Sequence, residues 1–533
     1  MRDFQSPNRS AAFGANGAAA TSHPQATITA LDVLRSGGNA VDAAIAACAV
    51  QCVVEPQMTG IGGDCFAFVA EPDGTVSTLN GSGRTGAAST LGWFQEQGIL
   101  GLPSESVHAV TVPGALRGWE ALLSRFGTKG LDALLAPAIR HAEVGYVVTP
   151  RVASDWANNV SRLAAHPATA HFYLKDGQAP AAGDTMRLPE MAGVLRAIAK
   201  DGADAFYTGW IANDLVETLS HLGSRLTADD FTAANADWVM PLQRTYQGHD
   251  VFGFPPNTQG FAALQILGQT EPTDQALDDP LHPDRAHVYA EAVRRAYAMR
   301  NTHLADPDAM AVAPEALVSD ETIAALRASI QMDRATPVAD PLDLKGSNTV
   351  YLGVVDRDGM AVSFINSLFS NFGSAIAGEK TGILLHNRGS GFSLAEGHPN
   401  AIAPRKRPAH TLVPGMVLKD GLPALSYGVM GGAYQAAGHG WFLANALAFG
   451  MDVQAALELP RLFVANDKAP GGFDLVAETT LPDSVVADLE RRGHRITRAT
   501  TPHGCGQAIR IDRARGVFIA GSDPRKDSLA LAY

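Results

Sequence analysis

The chain has 533 residues, long enough for several domains or one large core. Hydrophobic residues make up 46% and charged residues 18%, which excludes a largely disordered chain. With 41 Lys and Arg against 54 Asp and Glu, the net charge is −13. That sign argues against a nucleic-acid groove or an anionic membrane surface and for a small-molecule substrate.

The first stretch, MRDFQSPNRSAAFGANGAAATSHP, has no continuous apolar region after its basic residues. It does not read as a signal peptide. No run of 18 uncharged apolar residues follows, so a cytoplasmic protein is expected. From Pro24 to Val54 the pattern predicts two helices in tandem, broken at Gly37-Gly38, with Asn39 capping the second. Cys48 and Cys52 lie one helical turn apart in an Ala-rich segment. With Cys65 and Cys505 they form no disulfide framework, and they read as small core residues. A zinc site would want tighter pairs and nearby histidines, so neither metal nor cofactor is expected. The turn TGIGGDCFAFVA leads into a strand ending near Ala70. Gly60, Gly62 and Gly63 suggest tight backbone packing, and the phosphate-loop patterns are absent.

The middle, about 115–340, reads as mostly helical, interrupted by the loop GFPPNTQG at 253–260. The character changes near residue 346. VVDRDGMAV and VLKDGLPAL read as hairpins turning at Asp358-Gly359 and Asp420-Gly421. Residues 441–458 return to helix, and GQAIRIDRARGVFIAGSDPR closes the chain as another hairpin. An α+β protein follows, with sheets inside and helices outside.

Asn348-Thr349 opens a strand after the loop DPLDLKGSN. Two readings stand. Thr349 is an ordinary β-branched strand residue. Alternatively the Asn348–Thr349 peptide is a self-cleavage site, and Thr349 becomes a nucleophile whose own α-amine is its base.

Ordered motifs bear on that choice. They include LRSGGNAVDAAIA at 34–46, VVEPQMTGIGGDCF at 53–66, VPGALRGW at 112–119 and PPNTQG at 255–260. NTVYLGVVDRDGMAV at 348–362, GILLHN at 382–387, RKRPAHTLVPG at 405–415 and GVMGGA at 428–433 follow. Over nearly its whole length the chain resembles the γ-glutamyltransferase (glutathione hydrolase) family. The resemblance implies an N-terminal-nucleophile hydrolase fold, a four-layer αββα sandwich. It implies self-cleavage into a large subunit, 1–348, and a small subunit, 349–533, intertwined in one catalytic domain. Thr349 then becomes the nucleophile. Ser367 stands where the family keeps a threonine that hydrogen-bonds it. Gly431 and Gly432 supply oxyanion-hole N–H groups.

The sequence also departs from the family. Val350-Tyr351 replaces Thr-His after the cut. The arginine that holds a donor carboxylate is displaced to Arg84, which reads either as that anchor or as a surface residue. Phe369 and Gly391 occupy the positions of the α-amine acceptors, and His410-Thr411 replaces tandem serines. His410 reads either as structural or as a substrate contact. The segment between Phe392 and Pro408 is short, which implies no lid. These departures point toward the oxamate amidohydrolase-like or cephalosporin-acylase-like branches. The competing class is a binding protein that keeps the fold without the chemistry.

Overall fold

The structure is a computed structural model that describes residues 8–337, 348–464 and 474–533. Its framework follows from period-2 strands whose two faces are both apolar. In Asp64–Ala70, Cys65, Ala67 and Val69 pack toward helices, while Phe66, Phe68 and Ala70 pack toward a second sheet. Such a strand is buried on both faces and reads as a continuous apolar run.

Two seven-stranded antiparallel sheets result. One runs in the order Leu529–Ala532, Ala18–Thr21, Asn348–Val355, Ala361–Phe369, Asp64–Ala70, Val76–Gly81, Asp237–Val239. The other runs Ala12–Gly14, Val517–Ser522, Cys505–Asp512, Leu422–Met430, Pro414–Lys419, His249–Gly253, Leu242–Tyr246. Between them lies a core that includes Phe66, Phe68, Tyr351, Ile365, Met416 and Ile509. Helices cover both outer faces. Pro24–Arg35 and Ala40–Val54 pack on the first sheet with Leu352, Val354 and Phe364. Gly260–Ala276, Pro283–His303 and Tyr434–Leu443 pack on the second with Val417, Leu425 and Val429. The chain is an αββα sandwich, as expected.

The tandem helices form as predicted. Asn39 and Asp42 make a capping box, and every residue of Ala40–Val54 is buried. The four cysteines are unpaired and buried. The two Asp-Gly turns join antiparallel strands, and Asp420 and Gly421 both take positive φ, 52° and 75°. One expectation needs correction. The mostly helical middle also contains the strands Asp237–Val239, Leu242–Tyr246 and His249–Gly253. They are short and lie at or next to sheet edges, where period-2 patterning is weak.

Tyr351, one of the departures from the family pattern, is a tie between the sheets. Its hydroxyl donates to Ser363 Oγ at 3.0 Å, and it lies 3.2 Å from Ser426 Oγ on the opposite sheet. Gly428 makes room for the ring, because a Cβ there would stand 2.2 Å from Tyr351 Cδ2.

Buried histidines give this fold an acid limit. Burial holds His23, His410 and His439 down to about 3, and His494 down to about 2. In the unfolded chain each titrates at ~6.5, so on acidification the unfolded state takes up protons first. Their contribution is full above ~6.5 and is lost as pH falls toward 3. Urea-denaturation midpoints from pH 7.5 to 4 are expected to fall steadily, with each histidine adding at most about 1.4 kcal/mol per pH unit. A midpoint that stays flat across this window contradicts the assignment.

Candidate active site

Antiparallel pairing of Asn348–Val355 with Ala361–Phe369 brings the start of the first strand beside the end of the second. Asn348 pairs with Phe369, and a register shift follows before Val350. Thr349 falls in that irregularity, and its Oγ1 lies 3.0 Å from Ser367 Oγ. Both residues are buried in the continuous chain. The side chain of Asn348 and residues 338–347 lie outside the described residues, so the cleavage-site expectation is met only by the backbone position of Asn348.

Ser367 is held from two further directions. Its Oγ accepts from the Phe369 N–H at 2.8 Å and from Arg388 Nη2 at 3.4 Å. Phe369 has φ +80°, a costly conformation for a bulky residue that the Ser367 bond helps to hold. Close packing fixes the same corner. A Cβ on Gly63 would come within 2.4 Å of the Ser367 carbonyl oxygen, so only glycine lets these strands approach.

The structure gathers several of the sequence-predicted residues around Arg388. Its Nη1 donates to Thr411 Oγ1 at 3.1 Å, and its guanidinium lies 4.0 Å above the Phe369 ring. Next to it stands Asp64. One Asp64 oxygen accepts from the Gly83 and Gly114 N–H groups at 2.9 and 3.1 Å, and the other lies 3.2 Å from His410 Nε2. A carboxylate only accepts, so the His410 proton is on Nε2, and Nδ1 accepts from the Leu412 N–H. His410 thus has a structural partner. Burial alone would raise the Asp64 carboxyl, but His386, His410 and Arg388 hold it below the usual carboxylate range. Burial lowers Arg388 to about 9, with Asp64 opposing, so it stays charged at neutral pH.

The GVMGGA turn completes the corner. Gly431 and Gly432 take φ of +127° and +59°, which a side chain would strain. Gln259 Nε2 donates to both the Thr411 and Gly432 carbonyls, at 2.9 and 3.1 Å, and so ties this turn to the Arg388 side. Arg300 holds the Gln259 amide oxygen at 2.8 Å.

Other predicted residues lie elsewhere. Arg84 is one-third exposed and makes contacts with Asp306, Asp237 and the Arg405 carbonyl. Gly391 ends the turn Arg388–Gly391, and its carbonyl accepts from Asn400 Nδ2. The short segment after Phe392 folds back on itself, and Phe392 and Ile402 pack with Phe94 and Leu102. Sequence reasoning missed Asp64, Gln259 and Arg388. Their signal was faint: Asp64 and Gln259 are polar residues inside motifs whose glycines and apolar residues carry the resemblance, and Arg388 directly follows the motif GILLHN.

The profile of the family described as Gamma-glutamyltranspeptidase matches residues 26–533. The chain belongs to this family. It is 36% identical over 504 residues to the glutathione hydrolase-like YwrD proenzyme of Bacillus subtilis (strain 168), covering 94% of this chain and 95% of that one. It is 34% identical over 528 residues to the oxamate amidohydrolase proenzyme of Klebsiella pneumoniae, covering 97% and 98%. The crystal structure of a cephalosporin acylase from Bacillus halodurans superimposes with a TM-score of 0.93 at 36% identity, covering 100% and 99%. As a gamma-glutamyltranspeptidase family member of the N-terminal-nucleophile fold, the chain is a self-processing amide hydrolase. Among the described residues, no helix is long and apolar enough to cross a membrane.

Proposed function

We propose that this protein cleaves itself between Asn348 and Thr349 and uses Thr349 to hydrolyse the amide of a small carboxylate-bearing acyl group without an α-amine. The observation that carries the reading is the 3.0 Å approach of Thr349 Oγ1 to Ser367 Oγ at the start of the strand. In the uncut chain, Thr349 Oγ1 attacks the Asn348 carbonyl carbon, and water then hydrolyses the resulting ester. The freed α-amine becomes the base that takes the hydroxyl proton during substrate attack. Gly431 and Gly432 are the proposed N–H donors to the oxyanion, a role worth about 3–4 kcal/mol per donor. The amine returns its proton to the leaving nitrogen, and water releases the acyl group from Thr349.

The two-fragment organisation, 1–348 and 349–533, finds support in the sheets. Each sheet combines strands from both sides of residue 348, so cutting the chain leaves one shared core. Missing α-amine acceptors support the substrate class. Phe369 is apolar and Gly391 has no side chain, so neither offers an acceptor for an ammonium. Arg84, given its carboxylate partners, is the weaker candidate for a substrate anchor. A cytoplasmic location belongs to the same reading, supported by four unpaired cysteines.

The test is a substrate panel: a γ-glutamyl anilide, oxamate and a glutaryl amide, assayed on purified protein. Turnover of a carboxylate amide well above the γ-glutamyl compound is expected. Robust γ-glutamyl turnover would refute the reading of Phe369 and Gly391.

A further inference from the structure

Buried arginines in this protein are usually matched by carboxylates. Arg285 pairs with Asp274, Arg294 and Arg295 with Glu291, and Arg461 with Asp523. Arg388 is an exception. It is fully buried, yet it makes no ion pair within 4 Å among the described residues. Its Nε has no hydrogen-bond partner among them. The acceptors it does have, Ser367 Oγ and Thr411 Oγ1, are neutral hydroxyls. Asp64 acts on it through space, but both Asp64 oxygens are engaged by Gly83, Gly114 and His410. A planar guanidinium fork in this state is poised for a bidentate anion. Taking an arginine out of water without such a partner is costly, and an incoming carboxylate offsets that cost.

Position limits what the anion can belong to. Only two short steps, 3.4 Å to Ser367 Oγ and 3.0 Å onward, separate Arg388 Nη2 from the Thr349 hydroxyl. The attacked carbonyl carbon must come to roughly 3 Å from that hydroxyl, and the carboxylate to about 2.8 Å from the guanidinium. Both ends of the acyl group therefore sit in one corner.

The geometry points to Arg388 as the specificity-determining residue that binds the free carboxylate of the acyl group and selects monoamides of short dicarboxylic acids, of about two to four carbons. This inference rests on Thr349 being the nucleophile. Water adds across the amide, and the products are the dicarboxylate and ammonia or an amine. The same positive charge repels an α-ammonium, so γ-glutamyl donors are rejected by charge as well as by missing acceptors.

The experiment uses processed protein and two readouts. In the first, oxalate, malonate, succinate, glutarate and acetate are added to thermal-unfolding scans. The shorter dicarboxylates are expected to raise the wild-type midpoint more than glutarate or acetate, and Arg388→Met is expected to abolish the rise. In the second, Arg388→Met should raise KM for oxamate or succinamate at least about tenfold, and should lower kcat/KM for that carboxylate amide at least about tenfold more than for a carboxylate-free anilide. An arginine that only supports the fold would lower kcat on both substrates alike, and that result overturns the proposal. So does a dicarboxylate shift that survives in Arg388→Met or disappears in Arg84→Met alone. If Arg388→Met fails to mature, Arg388→Lys carries the test, because it keeps the charge and loses the fork. Its KM for the carboxylate amide should rise severalfold more than its KM for the anilide; an unchanged KM for the carboxylate amide overturns the proposal. Failure of the Thr349 reading looks different: wild-type protein stays uncut and turns over no amide, while dicarboxylate binding still reports on Arg388.

Discussion

Thr349→Ala is expected to run as a single uncut chain and to lose amide hydrolysis by about 10³-fold or more. Both proposed reactions use the same oxygen. Without Oγ1 the Asn348 carbonyl is not attacked, no new N-terminus forms, and the α-amine base is never released. Wild-type protein is expected to show two bands, and sequencing the smaller one should begin at Thr349. The fragments should co-purify without denaturant, because strands from both contribute to each sheet. Thr349→Ser keeps a hydroxyl in place and should mature and retain part of the activity. Two bands from Thr349→Ala, or a new N-terminus elsewhere, would sink the assignment.

Asp64→Ala should have the largest effect on stability, about 3–5 kcal/mol. The loss has three parts. The Gly83 and Gly114 N–H groups lose a shared acceptor inside the protein. His410 loses the partner that sets its tautomer. Arg388 loses the nearby negative charge that steadies its buried cation. Asp64→Asn keeps an acceptor for the backbone groups and should fall between the two. Urea midpoints and the yield of processed protein give the measurement. A loss below about 1 kcal/mol with normal maturation would show that Asp64 does not hold Gly83, Gly114, His410 and Arg388 together.

Asp64 also shows where reading the sequence stopped. It stands in TGIGGDCF, a stretch noticed for its glycines, and its partner His410 lies 346 positions away. No local pattern signals such a pair. The two arginines make the same point. Arg84 drew attention because it sits near the position of a known anchor. Packing gives Arg84 to Asp306 and Asp237, and sets Arg388 against Ser367 and Thr411.

The sequence by itself determined the tandem helices around Gly37-Gly38, the Asp-Gly hairpins, the buried cysteines and, through ordered motifs, the family and its layered fold. These rest on contacts between near neighbours: caps, turns and the alternation of apolar residues along one strand. The three short strands between Asp237 and Gly253 were not legible, because edge strands have few neighbours to impose a pattern. Only the tertiary structure decided how Thr349 meets Ser367, what holds His410, and which arginine stands beside the nucleophile. Those are distances between residues far apart in sequence, set by sheet register and by glycines that allow close approach. The identity of each residue says which bond it can make, and the packed layers choose the partner.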